Sequence, residues 1–258
     1  LVLLKNDVPV ECALDSFEVR EPDVNVLSKF LKDQGFKSIV ARVESQLGEA
    51  ANLPSAESDP EKTDDEPVYE LVQDEETLAR WVDAATKAGL VAFDTETTSL
   101  DAMRADLVGF SLSIRTGEAC YVPLAHRASD LLADTDTMTQ IPLADAVAAL
   151  KPLLEDPAVL KIGQNIKYDM RIMTRYGLAI RPIDDTMLLS YVLDSGLHGH
   201  GMDELSKLHL DHAPIPFKEV AGTGKNQVTF DQVPLANACD YAAEDADITL
   251  RLHQLLKP

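Results

Sequence analysis

Three groups of polar residues have the types and spacing that chemistry requires. In LVAFDTETTSL, Asp94 and Glu96 stand two apart at the end of an apolar run. If that run is a strand, both side chains point to the same face. Two neighbouring carboxylates at the end of a buried strand repel each other unless a cation binds between them. In GQNIKYDMRI, Asn165 and Asp169 are four apart, one helical turn, so both can face one site. In YAAEDADITL, Tyr241 and Asp245 repeat that spacing. Each motif alone is equally a strand end reaching solvent or a solvated helix face. Their occurrence together, in this order, points to one oxygen-rich site suited to a hard divalent cation.

Positioning these groups requires a compact α/β unit. DEETLARWVDAATKAG has Thr77, Leu78, Trp81, Val82 and Ala85 on one side and predicts a helix closed by Gly89. LVAFDTET (90–97), ADLVGFSLSI (105–114) and EACYVPLA (118–125) read as strands, the last two joined by RTGE, a hairpin signal. At least three consecutive strands are therefore expected to be antiparallel. PLADAVAALKPLLED (142–156) has helical periodicity around an internal Pro, and AVLKIG (158–163) reads as a strand. NIKYDMRIMTRYG predicts a helix ended by Gly177; DTMLLSYVLD, MDELSKLHL and PLANACDYAAEDADITLRLHQLLK predict three more. Strands followed by alternating elements and then helices fit a mixed sheet covered by helices.

Ahead of this unit, residues 1–47 hold a weak strand (1–10), an amphipathic helix (21–33) with Pro22 near its start, and the short element FKSIVARV. Residues 48–68 are rich in Pro, Ser, Ala and acid and read as a solvated linker before the domain at 69–258. The start, LVLLKNDVPV, has no basic region and reads as an internal piece, not a signal peptide.

Charge and cysteine usage bound the function. The 258 residues carry a formal net charge of −21, which argues against a broad basic surface for nucleic acid. Much of the excess is local, because residues 48–76 hold 11 acids against 1 Lys. Cys12, Cys120 and Cys239 have no CxxC spacing, so they read as small buried hydrophobes in a reducing cytoplasm. No run of about 18 apolar residues exists, and nothing is expected to span a membrane.

FDTETTSLD, KIGQNIKYD and YAAEDADIT resemble the three motifs of the DEDD superfamily of 3′–5′ exonucleases, in the subtype with Tyr in the third motif. The chain is most similar to the proofreading domains of bacterial family A polymerases. DTMLLSYVLD, GMDELSKLHL and FKEVAGTGKNQVTFDQV extend the resemblance over roughly residues 69–258, and residues 1–47 resemble the tail of the family's 5′-nuclease domain. The resemblance implies an RNase H-like fold, a five-stranded mixed sheet flanked by helices. It implies hydrolysis of phosphodiester bonds at DNA 3′ ends to release 5′-mononucleotides, with two divalent ions, Mg²⁺ or Mn²⁺, as cofactors.

By the same resemblance, Asp94, Glu96 and Asp245 hold the ion that activates water, while Asp94 bridges to a second ion served by Asp169. Tyr241 orients the attacking water through its hydroxyl, not as a strong base, since an ordinary phenol has a pKa of about 10. Thr95, Leu100, Gln164, Asn165, Tyr168 and Phe217 contact the frayed strand, with Leu100 wedged against the terminal base. Implied partners are a single-stranded or frayed DNA 3′ end and the polymerase and 5′-nuclease domains of the same longer chain, which is cytoplasmic and monomeric. Two other readings use the same carboxylates differently: an RNA 3′-processing nuclease of the RNase D kind, and a non-catalytic module of a polymerase.

Lys161, Lys167, Arg171 and Arg175 flank the second motif as candidates for attracting phosphate. GTGK (222–225) lacks the P-loop pattern and reads as a flexible loop, with contact of its glycines and Lys225 to a DNA backbone as the alternative. His198, His200, His209 and His212 match no strong zinc spacing and read as surface histidines on a loop.

Overall fold

In a computed structural model the chain divides into two units, residues 1–63 and 64–258. The described residues are 9, 22–34, 36, 39, 40 and 43 of the first unit, and 67–127 and 139–257 of the second. The expected strand at 1–10, most of FKSIVARV, Cys12 and nearly all of the 48–68 tract lie outside them. In the first unit α1 spans Val24–Asp33. It begins later than Pro22 suggested, because Asp23 Oδ1 accepts from the backbone N–H of Asn25 at 2.9 Å and so caps the helix.

The second unit is built on one mixed sheet whose strands are β1 (Val68–Leu71), β2 (Leu90–Thr97), β3 (Leu107–Arg115), β4 (Glu118–Pro123), β5 (Leu160–Gly163) and β6 (Ile183–Asp185). Their order across the sheet is β1-β4-β3-β2-β5-β6. The antiparallel run β2–β3–β4 agrees with the sequence reading, and Gly117 takes the left-handed conformation (φ 77°) in the β3–β4 turn. β2 and β5, and β5 and β6, are parallel, as is β1 with β4. The sheet therefore has six strands among the described residues, where five were expected. The short edge strands β1 and β6 account for elements the sequence did not announce, since three or four residues carry too little alternation to read.

Seven helices of the second unit are described: α2 (Glu75–Ala88), α3 (Leu143–Glu155), α4 (Lys167–Arg175), α5 (Thr186–Asp194), α6 (Met202–His209), α7 (Phe217–Ala221) and α8 (Leu235–Leu256). Helix α2 has the caps its sequence announces, with Asp74 Oδ1 accepting from Thr77 N at 2.8 Å and Gly89 closing it at φ 73°. The short α7 was not anticipated.

Two apolar layers fix the sheet. On one face Val91 and Phe93 join Leu78 and Trp81 of α2 and Leu150 and Leu153 of α3 in the main core. On the other, Ala92 of β2 and Ile162 of β5 pack against Leu250 of α8. The period of two along β2 then places Asp94 and Glu96 on the α8 face and Thr95 on the opposite one. Burying the sheet between the two helical layers thus carries charged residues to the end of the central strand.

Candidate active site

The end of β2 gathers the acidic residues of three elements. Asp94, Glu96 and Asp245 each offer a carboxylate oxygen, all within 4.8 Å of one another. Asp245 arrives from α8, where Tyr241 stands one turn earlier. Glu96, Asp169 and Asp245 are buried, and Asp94 is half-buried. Asp169 comes from the first turn of α4. Its Oδ1 accepts from the Thr95 backbone N–H at 3.0 Å and from the Thr95 hydroxyl at 2.5 Å.

Electrostatics identify what this site suits. Burial pushes the Asp94 carboxyl up to about 7. Glu96, Asp169 and Asp245 are raised well above the usual carboxylate range, first by burial and then by the negative charge of Asp94. Among the described residues, no Lys or Arg is hydrogen-bonded or ion-paired to any of the four. A buried set of carboxylates without a cationic partner, with oxygens converging from two elements, fits a hard divalent cation. Tyr241 is raised too, by burial and then by the charges of Asp245, Glu96 and Asp94, so its phenol stays protonated and acts as a hydrogen-bond donor.

A cleft of about 720 Å³ opens beside the carboxylates, lined among others by Glu96, Leu100, Tyr168, Phe217, Phe230 and Tyr241. Leu100 is 96% exposed at the cleft. Phe217 stacks on Phe230 at 6.4 Å and meets Tyr241 edge-on at 5.9 Å, forming an aromatic wall. The Tyr168 hydroxyl donates to the Ser99 carbonyl at 2.5 Å and lies 2.5 Å from Thr97 Oγ1, tying α4 to the loop that carries Leu100. Thr95, Leu100, Tyr168 and Phe217 thus line the cleft together.

Gln164 and Asn165 stand apart from it. Gln164 donates to the His200 carbonyl at 2.8 Å and accepts from the Thr186 hydroxyl, so both ends of its amide are engaged within the fold. Asn165 adopts a left-handed backbone (φ 59°), its N–H bonded to Asp185 Oδ1 at 2.9 Å and its carbonyl oxygen Oδ1 to Lys167. Asp185 also caps α5 at Met187 N, so one carboxylate fixes the turn before α4 and the start of α5. Gly224 of GTGK lines the cleft, and the sequence reading missed the 227–230 segment beside it, including Gln227, Thr229 and Phe230. The only signal there was an aromatic flanked by polar residues.

Two expectations about the basic and histidine residues are corrected. Lys161 is wholly buried and does not face phosphate: its ammonium donates to the carbonyls of Leu153, Asp156 and Val159 at 3.3, 2.8 and 2.7 Å. It satisfies chain ends around the C-terminus of α3. Arg175 donates to the Ala105 carbonyl and braces the loop before β3. The surface-loop reading of the histidines holds only in part: only 4% of the His198 side chain is exposed and His209 belongs to α6, while His200 and His212 are half-buried in the connections.

Residues 69–258 match the family described as 3′–5′ exonuclease, and the chain belongs to that family. Its carboxylate cluster at the end of the central strand of a mixed sheet agrees with that class. DNA polymerase I of Rhizobium leguminosarum is 55% identical over 205 residues, covering 75% of this chain and 20% of the relative. DNA polymerase I of Pseudomonas aeruginosa is 41% identical over 260 residues, covering 99% and 27%. The chain thus spans about a quarter or less of the length of these relatives. Among solved structures, Trypanosoma brucei RNase D has a TM-score of 0.57 at 17% identity, covering 73% of this chain and 64% of that one. Escherichia coli RNase D has a TM-score of 0.54 at 16% identity, covering 73% and 44%. That likeness concerns the RNase H-like fold alone. The 64–258 unit is a 3′–5′ exonuclease domain of the DNA polymerase I type, a hydrolase of phosphodiester bonds.

Proposed function

We propose that this domain removes nucleotides from single-stranded or frayed DNA 3′ ends, releasing 5′-mononucleotides, as the proofreading part of a longer polymerase chain. The observation that carries this reading is the convergence of Asp94, Glu96, Asp169 and Asp245 beside a cleft walled by Leu100, Tyr168 and Phe217. Asp94, Glu96 and Asp245 would hold one divalent ion, and Asp94 with Asp169 a second, each Mg²⁺ or Mn²⁺. When bound, such ions supply a water of lowered pKa and neutralise charge on the phosphate oxygens.

The chain's own residues supply placement. Tyr241 keeps its proton and donates a hydrogen bond that orients the attacking water. Thr95 fixes the carboxylate of Asp169 from behind. Leu100, exposed at the cleft mouth, separates the terminal base from its neighbour, and the Phe217 ring accepts the base without regard to its identity. Such contacts suit an enzyme that must accept any mispaired end. Gln164 acts on the strand through the turn it builds, since both ends of its amide are engaged elsewhere, whereas the amide N–H groups of Asn165 remain to donate to the strand.

The relatives being DNA polymerases supports a setting in which a polymerase domain shares the same longer chain; a 5′-nuclease domain in that chain, a monomeric state and a cytoplasmic setting belong to the same proposal. Among the described residues no helix is long and apolar enough to cross a membrane. The excess negative charge is consistent with DNA being delivered by such a neighbouring domain. An RNase D-like preference is the competing reading, supported by fold likeness alone. Degrading DNA and RNA oligonucleotides of identical sequence side by side decides between them. Faster release from DNA is expected, and a strong RNA preference overturns the proofreading assignment.

A further inference from the structure

A second group of metal-ligating side chains lies outside the carboxylate site. Asp194 ends α5, His198 follows in the connection, and His209 ends α6. One ligand atom from each lies within 4.8 Å of the others. The His198 side chain is 96% buried, and its Nε2 stands 3.7 Å from Asp194 Oδ2. Among the described residues, the buried Nε2 atoms of His198 and His209 have no hydrogen-bond partner. Buried ring nitrogens without partners are uncommon, because desolvation goes uncompensated.

The tautomer of His198 defines the chemistry of its unpartnered nitrogen. Its Nδ1 lies 2.6 Å from the Gly199 carbonyl, which can only accept. Nδ1 therefore carries the proton, and in the neutral ring Nε2 presents a lone pair toward Asp194 and His209. A lone pair facing a carboxylate is unfavourable unless a proton or a metal ion stands between them, and 3.7 Å is too long for a hydrogen bond through a proton. A backbone carbonyl holding the far nitrogen is the arrangement that orients metal-bound imidazoles. The His200 ring packs on His198 at 5.1 Å, while its own Nδ1 is engaged by Ser190 Oγ at 2.8 Å, so His200 buttresses the cluster.

We propose that Asp194, His198 and His209 form a transition-metal site, suited to Zn²⁺, which clips the end of α5 to the end of α6. Two imidazoles and one carboxylate are a borderline-soft donor set that favours Zn²⁺ over Mg²⁺ or Ca²⁺. Bonds of about 2.0–2.1 Å in a tetrahedron put donor atoms about 3.4 Å apart, so a small rotamer adjustment closes the site. Water completes the fourth position. The ion is structural in consequence: the connection it pins carries the His200 carbonyl that holds Gln164, and Leu205 of α6 packs on Ile248 and Leu252 of α8. Sequence spacing concealed this site because its ligands come from two helix ends and the connection between them.

The test uses the whole chain with Asp94→Ala, which disables the carboxylate site as a competing metal trap. Titration with Co²⁺ in excess Mg²⁺ should give the intense visible absorption of a tetrahedral ion, saturating at about one equivalent and displaced by Zn²⁺. Adding His198→Ala or His209→Ala should abolish the absorption. Imidazole nitrogen resonances of the histidines provide a readout on the folded parent that does not depend on those variants folding. Zn²⁺ should shift the Nε2 signals of His198 and His209 and leave that of His253 in place. Unchanged Nε2 signals, or absorption that survives both substitutions, overturns the proposal.

Discussion

Thr95 and Asp169 are joined twice: the backbone N–H and the hydroxyl of Thr95 both donate to Oδ1 of Asp169. Thr95 lies between Asp94 and Glu96 on β2 but points to the opposite face, so a residue turned away from two of the carboxylates positions a third. Thr95→Val keeps the N–H bond and the shape but loses the hydroxyl donor. Cleavage is expected to fall about tenfold, as the loss of one hydrogen bond worth about 1.4 kcal/mol implies. The deficit should narrow as divalent metal is raised. Single-turnover rates across a metal titration check this; an unchanged rate at low metal would remove Thr95 from the positioning role.

Asp94→Ala removes the carboxylate whose charge raises Glu96, Asp169 and Asp245. Cleavage should be lost while the metal-free protein melts at the same temperature or higher, because relief of like-charge repulsion offsets lost contacts. Differential scanning calorimetry in chelator gives the answer. A large drop in melting temperature contradicts a site strained by its own charge.

Tyr241→Phe removes one oriented hydrogen bond and no carboxylate. The rate should fall by about a hundredfold or less, leaving measurable activity where Asp94→Ala leaves none. Single-turnover rates of both variants, measured side by side, check this. Equal losses in the two would merge roles that the geometry separates.

The raised carboxylates fix the sign of the pH dependence. Asp94 titrates near 7 in the folded protein against about 3.9 in an unfolded chain, so the folded state binds more protons across that window. Without metal, stability is therefore fully present below about pH 4 on this account and declines as pH rises toward 7. Saturating Mg²⁺ should abolish the decline, and Asp94→Asn should shallow it. Urea midpoints measured across the range with chelator and with Mg²⁺ are the check.

Lys161→Met preserves volume but leaves the carbonyls of Leu153, Asp156 and Val159 without their shared donor. A loss of about 2–3 kcal/mol in stability is expected, with the rate per folded molecule unchanged. Denaturant unfolding beside an activity assay separates this from a role in binding phosphate, which would lower affinity for DNA instead.

Which parts of the site could be read from sequence follows from the range of the forces involved. Asp94 with Glu96, and Tyr241 with Asp245, follow fixed periods of strand and helix, so local geometry places them on one face. The mixed sheet follows from the strand run and the hairpin at Gly117. Lys161, by contrast, looks like any basic residue near a motif, and only the approach of the α3 terminus turns it inward. Gln164 sits beside Asn165 in a motif, yet its amide is claimed by Thr186 and His200, residues distant in sequence. His198 and His209 stand out as histidines in the sequence, but their meeting with Asp194 does not, for the same reason: the three come together only after α5 and α6 pack. β1 and β6 are edge strands whose pairing, not their composition, makes them strands.

The central claim is that these carboxylates work through divalent metal on a DNA 3′ end. It is tested most directly by incubating the protein with 3′-labelled single-stranded DNA, with Mg²⁺ or with chelator, beside Asp94→Ala. The account predicts release of labelled 5′-mononucleotides only for the unaltered protein with metal. Release in chelator, or equal release by Asp94→Ala, would contradict it.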